Sequence, residues 1–293
     1  MSTPALDLRS AASVKAETLT ETLPYIRAYR GQTVVVKIGG AALEDDGFAG
    51  LVAEDLALMS FVGIRIIVVH GGGPQVSQAM GEAGIRPSFA DGLRVTDDAA
   101  IEIVRRVLIG TINSDLVTKL CGAGLLAVGL WGGDGGLVEA AVMESPSGRN
   151  LGRVGRVATV HPELLDNLLT GGYTPVIASV APEADGSPLN INADAVAASI
   201  AASVAAAKLV YMTNVEGLYR DLGDSGSLVS EVRLEELGGM IGDLSDGMRP
   251  KAASAIQALE AGVGRVHILD GRVEHALLLE VFTNEGIGTL VLP

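Results

Sequence analysis

Two lysines and two runs of glycine carry the first chemical signal in this chain. Lys37 stands near the end of Thr33-Val34-Val35-Val36-Lys37-Ile38, which then breaks into Gly39-Gly40. Ile66-Ile67-Val68-Val69-His70 breaks in the same way into Gly71-Gly72-Gly73-Pro74. Residues without a Cβ let backbone N–H groups approach an anion closely. A lysine at a buried strand end is costly unless an anion meets it. Lys251, in Asp246-Gly247-Met248-Arg249-Pro250-Lys251, falls near the start of an expected helix. The helix dipole disfavours a cation there unless the helix end and the lysine share one phosphate. Together these residues predict a phosphate site built without a G-x-x-x-x-G-K-[ST] loop.

The elements that must position them alternate along the chain. The apolar, β-branched runs at 33–38 and 64–70 read as buried parallel strands. In open α/β sheets, ligands bind beyond the carboxyl ends of such strands. Further strands are expected at 125–130, 174–178, 209–213, 265–269 and 289–292. Helices are expected at 45–62, 74–84, 161–169, 232–239, 246–261 and 274–283, with an alanine-rich helix after Asp194. Thr96 or Asp97 caps a long helix carrying Ile101, Val104, Leu108, Ile112, Leu116 and Leu120 at helical spacing. Asp91–Val95 reads as a short extended piece. Residues 137–160 read as a hairpin-like excursion around Pro146-Ser147-Gly148, and a polar loop leads into Asn190-Ile191-Asn192-Ala193-Asp194. Before the first strand, Leu19, Leu23 and Ile26 form a helical stripe with Tyr25 and Tyr29 beside it. That helix packs on its own subunit or serves as an arm on another. The alternation predicts a mainly parallel sheet covered on both faces.

Composition narrows the function. The 293 residues are 48% hydrophobic, enough for a large core in one domain or two lobes. A net charge of −14 argues against a nucleic-acid partner, and 3% aromatic content leaves few rings on which bases could stack. Any positive charge that meets a phosphate must therefore be local. Cys121 alone excludes a disulfide framework or a cysteine metal cluster. His70, His161, His267 and His275 lack metal-ligand spacing, so no metal site is expected. No basic start precedes an apolar core, and the apolar stretch 195–207 is too short for a span. The cytoplasm is the expected location, with no membrane partner. No G-x-S-x-G elbow is present. The near match Gly122–Ala127 to a dinucleotide fingerprint follows a helix and precedes a strand, the reverse of the required order.

Five motifs occur in one order: K-x-G-G, H-G-G-G-P, D-G-L-R-V-T-D, N-I-N-A-D and G-M-x-P-K. In this the chain resembles the amino-acid kinase family from about Thr33 to its end, and within it the members that phosphorylate N-acetyl-L-glutamate. The resemblance implies a three-layer α/β/α sandwich with a mainly parallel central sheet. It implies a helical arm at 1–31, an amino-acid-binding lobe with the phosphoryl-transfer site at 32–205, and a nucleotide lobe at 206–293.

The implied reaction moves the γ-phosphate of ATP, held as its Mg²⁺ complex, to a side-chain carboxylate. Such a transfer depends on positioning and charge neutralisation. By resemblance, Lys37 and Lys251 are the catalytic lysines and Asp194 the carboxylate that orients them; helix capping is the plain alternative for Asp194, and a solvated surface position for Lys251. Gly40 and Gly72 would supply backbone donors to the phosphoryl. Gly71, Gly72, Gly73, Arg94 and Asn190 would bind the acid, with an ion pair to Asp91 or Asp97 as the alternative for Arg94. Gly39, Thr213, Asn214, Gly217, Leu218, Tyr219, Gly247, Met248 and Lys251 would meet the nucleotide. The chain departs from the family at Asn214, where aspartate is more usual, and at Gly133 and Thr111, where lysine is common. These departures bear on affinity and on the identity of the acid.

The C-terminal run His267-Ile268-Leu269-Asp270-Gly271-Arg272 and His275–Thr283, then Gly286-Ile287-Gly288, resembles the arginine-sensitive members. In those, an extra N-terminal helix joins dimers into a hexamer. The resemblance implies L-arginine as inhibitor, held by His267, Glu280 and the Gly286–Gly288 loop; Glu280 otherwise reads as an ordinary exposed helix face. Two rival readings remain: a kinase of the same fold acting on another acid of the aminoadipate type, and a non-catalytic arginine-sensing protein.

Overall fold

A computed structural model describes every residue except 1–4, 44–45, 146, 222, 246 and 284–285. The expected positions Asp45, Pro146 and Asp246 lie outside the described residues.

Helix α1 (Ala5–Tyr29) leads into strand β1 (Thr33–Ile38), a 3-10 turn at Gly40–Leu43, α2 (Asp46–Phe61), β2 (Arg65–His70) and α3 (Gly73–Glu82). Strands β3 (Phe89–Ala90) and β4 (Leu93–Arg94) form a hairpin. Then come α4 (Asp98–Arg105), a π-helical segment (Arg106–Ile112) and α5 (Asn113–Gly122). They are followed by β5 (Ala127–Trp131), β6 (Val138–Val142), β7 (Val154–Val160), α6 (Glu163–Thr170), β8 (Thr174–Ala178), β9 (Val180–Pro182), β10 (Pro188–Ile191) and α7 (Ala193–Ser203). The remainder holds β11 (Lys208–Thr213), β12 (Leu218–Tyr219), β13 (Leu228–Val229), β14 (Glu231–Arg233), α8 (Leu234–Met240), α9 (Arg249–Glu260), β15 (Val266–Asp270), α10 (Ala276–Phe282) and β16 (Thr289–Leu292).

The central sheet runs β14-β16-β15-β11-β1-β2-β8-β5. From β15 to β5 every neighbouring pair is parallel. β16 runs antiparallel to β15, and β14 follows β16. Every residue of β1 is buried, so the strand shows no polar alternation, the mark of a sheet covered on both faces. Val35, Ile67 and Leu209 pack against Val196, Ile200 and Ala255 of α7 and α9. Their strand neighbours Val34, Val36, Ile66 and Val210 pack the other way, against Leu56, Leu116 and Leu277 of α2, α5 and α10. The expected three-layer α/β/α arrangement is therefore present.

Three local expectations change. Asp91-Gly92 has positive φ at both residues (52° and 76°), so the expected extended piece turns back as the hairpin β3–β4, whose Asp-Gly pair suits such a turn. The expected polar loop before Asn190 is confined to the turn 183–187, and the residues from 188 on are strand: β9 and β10 pair, and β10 joins β7 and β6 in a second sheet. Four residues beginning with proline are too short to show alternation. The long helix is interrupted by the π segment, which apolar spacing alone does not reveal. At the N-terminus, Tyr25, Ile26 and Tyr29 pack against their own subunit, whereas Leu19 and Leu23 are exposed.

Candidate active site

β1 and β2 are in register, Ile38 beside His70, so their glycine turns meet at one end of the sheet. The approach is close. A Cβ on Gly40 would lie 2.8 Å from Gly72 Cα and 2.9 Å from Gly73 N, so only glycine fits. Gln75 Nε2 donates to the Gly40 carbonyl at 2.8 Å and ties the turns together. These turns, with Lys37, Arg94, Asn190 and Asp194, line a cavity of about 240 Å³.

Asp194 sits at the floor of that cavity between two cations. Its Oδ1 lies 2.8 Å from Lys37 Nζ and its Oδ2 2.9 Å from Lys251 Nζ. Helix capping, the alternative for Asp194, falls instead to Asn192, whose side chain accepts from the Asp194 N–H at 2.7 Å. The Asp194 carboxylate is thereby left for the lysines. Lys251, in the first turn of α9, has a side chain only 13% exposed and is no solvated surface lysine. Burial alone would push the Asp194 carboxyl up, but the two ammonium groups outweigh it and bring its pKa to about 2. Burial also lowers the pKa of Lys37, against the pull of Asp194. One carboxylate beside two ammonium groups leaves positive charge in excess, which suits a phosphoryl group.

Arg94 reaches the same cavity from β4. Its guanidinium donates to Gly73 O at 2.7 Å and Ser77 Oγ at 2.8 Å, and it stacks under Phe89 at 4.9 Å from the ring centre. The alternative ion pairs are not made: Asp91 is bound by Ser145 and Ser147, and Asp97 accepts from the Ala100 N–H at the start of α4. Among the described residues no carboxylate pairs with this buried arginine, and burial lowers its pKa. Asn190, on β10, donates to Thr96 Oγ1 at 3.2 Å.

The expected nucleotide residues divide. A Cβ on Gly39 would lie 3.4 Å from Met212 O, so Gly39 adjoins the end of β11, where Thr213 and Asn214 follow. The side chains of Leu218 and Met248 are buried in the core. Tyr219 lines a separate small cavity with Met240 and Leu244. A Cβ on Gly217 would lie 2.5 Å from Thr289 Oγ1, and Gly247 is exposed just ahead of α9. A Cβ on Gly133 would lie 2.3 Å from the Trp131 ring, so the indole fills the space that a side chain at 133 would need.

A second cavity, of about 360 Å³, lies between the end of α1 and the β15–α10 region, lined by Tyr25, Tyr29, Lys208, Arg265, His267, Glu280 and Gly286. His267 Nδ1 is 2.5 Å from Glu280 Oε1, and Glu280 Oε2 accepts from the Ile287 N–H at 3.2 Å. Glu280 is buried, which displaces the exposed-face alternative. Burial lowers the His267 pKa. Burial opposes ionisation of Glu280 too, yet its hydrogen bonds from His267 and the Ile287 N–H lower its pKa. A neutral His267 then donates through Nδ1, leaving Nε2 buried with no partner among the described residues. Gly288 does not line this cavity; a Cβ there would lie 2.1 Å from Ile268 O, so its glycine serves the approach of β16 to β15.

Sequence reasoning missed His70, Asn113, Gln75, Ser77, Phe89, Lys208 and Arg265. Lys208 carried a readable signal, a lysine opening a largely apolar strand. Burial lowers its pKa to about 8, and its ammonium sits 4.4 Å from the centre of the Tyr29 ring. Among the described residues, no group of three histidine, cysteine or acidic side chains could hold a metal ion, and no helix is long and apolar enough to cross a membrane.

Residues 32–270 match the amino acid kinase family. An acetylglutamate kinase from Symbiobacterium thermophilum is 51% identical over 95% of this chain and 97% of its own length. Another from Prochlorococcus marinus is 45% identical over 96% of this chain and 92% of its own. Among solved structures, N-acetylglutamate synthase from Neisseria gonorrhoeae complexed with coenzyme A and N-acetyl-glutamate superposes with a TM-score of 0.86 at 30% identity. That match covers 95% of this chain but 63% of the synthase. The same synthase complexed with coenzyme A and L-arginine gives 0.82 at 27% identity, over 94% of this chain and 65% of the synthase.

Proposed function

The chain belongs to the amino acid kinase family, among the acetylglutamate kinases, and from that premise we propose that it transfers the γ-phosphoryl group of ATP to the side-chain carboxylate of N-acetyl-L-glutamate. The observation that carries the reading is Asp194, which lines a glycine-walled cavity with Lys37 and holds Lys251 on its other oxygen. A side-chain carboxylate is already ionised near neutrality, so the attacking oxygen requires no general base. Asp194 is a poor base in any case, since the lysines bring its pKa to about 2.

One oxygen of the acceptor carboxylate forms a bond to the γ-phosphorus. The bond from phosphorus to the β–γ bridging oxygen breaks, and its electron pair leaves with ADP. No proton moves. The barrier is repulsion between two anions and charge on the transferring group. Lys37 and Lys251 offset both, and backbone N–H groups of Gly40 and Gly72 meet the phosphoryl oxygens. Arg94 grips the second carboxylate of the acid, and Asn190 binds its amide. Gly39, Thr213, Asn214 and the 217–219 and 247–248 segments form the nucleotide side, within a division into residues 32–205 and 206–293. Mg²⁺ arrives with ATP as part of the substrate.

In the second cavity we assign L-arginine as a feedback ligand. Glu280 and the open Nε2 of His267 suit a guanidinium, and Lys208 with Arg265 suits a carboxylate. The exposed Leu19 and Leu23 of α1 suit an arm that joins dimers into a hexamer, and the cytoplasm is the proposed location. ADP release measured across N-acetyl-L-glutamate, L-glutamate and 2-aminoadipate tests the substrate. The reading expects the first to lead in kcat/KM by orders of magnitude. A lead for another acid overturns the assignment of N-acetyl-L-glutamate.

A further inference from the structure

Behind the glycine-walled cavity lies a hydrogen-bond chain whose side chains do not line it. His70, the last residue of β2, is fully buried. Its Nδ1 lies 3.0 Å from the Gly71 carbonyl and its Nε2 3.0 Å from Asn113 Nδ2. Asn113 Nδ2 also lies 2.9 Å from Val176 O on β8.

The protons in this chain follow from its fixed end. Val176 O can only accept, so the Asn113 atom facing it is the amide nitrogen; the flipped amide would set oxygen against oxygen. Both amide hydrogens are then used, one on Val176 O and one on His70 Nε2. Nε2 must therefore be the unprotonated nitrogen, and the ring hydrogen sits on Nδ1, where it is donated to Gly71 O. Burial lowers the His70 pKa to about 4, which keeps the ring neutral through the physiological range.

The consequence falls on the other side of one peptide plane. The Gly71–Gly72 peptide is trans, so its N–H points opposite to its C=O. Holding the Gly71 carbonyl toward His70 turns the Gly72 N–H away from the ring. Gly71, Gly72 and Gly73 line the cavity that holds Lys37 and Asp194, and His70 does not. Among the described residues the Gly72 N–H has no acceptor.

The π segment holds the same turn from its other flank. A Cβ on Gly72 would lie 2.2 Å from Ile112 Cδ1 and 2.6 Å from Leu108 Cδ2, both of that segment. The next residue is Asn113. One irregular stretch of helix thus packs on Gly72 and, through Asn113, fixes the ring behind it.

We propose that His70 and Asn113 are positioning residues for phosphoryl transfer: Asn113 selects the Nδ1–H form of His70, which locks the Gly71–Gly72 peptide so that the Gly72 N–H is aimed at the transferring phosphoryl. This rests on the phosphoryl-transfer reading of the cavity.

The test combines a spectrum with three variants of the full chain. Long-range ¹H–¹⁵N correlation of the histidine rings reports which nitrogen carries hydrogen. The expected result is His70 with a protonated Nδ1 and a bare Nε2 across the neutral range, assigned by its loss in His70→Asn. Asn113→Leu frees Nε2 and is expected to return His70 to a mixture of forms. In kinetics, His70→Asn keeps a donor at the Nδ1 position and should retain most of the turnover. His70→Leu and Asn113→Leu should lower kcat by about tenfold to a hundredfold, because a donor is misdirected rather than deleted. KM for both substrates should stay within about twofold, since the interaction is made in the transition state. The pH profile of His70→Asn should match the parent.

A proton found on Nε2, or a His70→Asn variant as impaired as His70→Leu, overturns the proposal. So does a defect confined to KM. If the parent protein turns over no acid at all, the phosphoryl-transfer reading fails instead, and the ring spectrum still reports the tautomer on its own.

Discussion

Lys37 Nζ lies 2.8 Å from Asp194 Oδ1, and both side chains are more than nine-tenths buried. One charge is on the central strand β1 and the other in the first turn of α7, so the fold brings together two ions that neither element could bury alone. The second oxygen of Asp194 takes Lys251 from α9. Three elements of distant sequence therefore meet at one carboxylate.

Acid should weaken this meeting point. The folded pKa of Asp194 is brought from 3.8 to about 2, so the stability it contributes is fully present above its unfolded value. That contribution is lost as pH falls through the folded value, and is worth about 2 kcal/mol. Denaturant midpoints followed from neutrality downward should drop between these two values by more in the parent than in Asp194→Asn. Parallel curves would show that the carboxylate is not ion-paired in solution.

Arg94→Lys keeps the charge but loses the planar fork that now spans Gly73 O and Ser77 Oγ. KM for the acid should rise by roughly thirtyfold, equal to about 2 kcal/mol, while KM for ATP changes little. Equal effects on the two substrates would remove Arg94 from the acid subsite.

Glu280→Gln removes the negative charge from the second cavity and weakens its bond to His267. If arginine inhibits through this cavity, the arginine concentration giving half-inhibition should rise at least tenfold, the scale of one charged hydrogen bond. An unchanged inhibition curve would place the effector elsewhere.

Asp55 ties α2 to α10. Its carboxylate, 2% exposed, accepts from His275 at 2.6 Å and from the Leu277 and Leu278 N–H groups. Burial raises the Asp55 pKa, and the hydrogen bond to Asp55 raises that of His275 above 6.5. A raised histidine pKa adds stability that is fully present below the unfolded value and is lost as pH climbs through the folded one. Asp55→Asn should therefore cost stability, about 1 kcal/mol as for a lost helix cap, and flatten the decline of Tm above neutrality. An unaltered pH slope would contradict the pairing.

Much of this was legible in the sequence because two signals are local. Buried parallel strands show as continuous β-branched runs, so β1, β8 and β16 fall where the residues predict them. The glycine turns and the lysine beside them show in the same way. What stayed hidden depends on tertiary contact. Nothing near Asp194 states that Asn192, two residues earlier, would take the helix cap. His70 and Asn113 are 43 residues apart, and their bond exists only because a π turn sets Asn113 against the sheet. That the side chains of Leu218 and Met248 are buried in the core is likewise a tertiary fact that no single stretch of sequence states.

The most direct test of the account is acyl-phosphate formation from ATP and N-acetyl-L-glutamate, trapped as the hydroxamate with hydroxylamine, in the parent and in Asp194→Asn. The account predicts ATP-dependent hydroxamate in the parent and a rate lower by about three orders of magnitude in the variant, with ATP still bound. Absence of hydroxamate from the parent, or undiminished formation by Asp194→Asn, would contradict it.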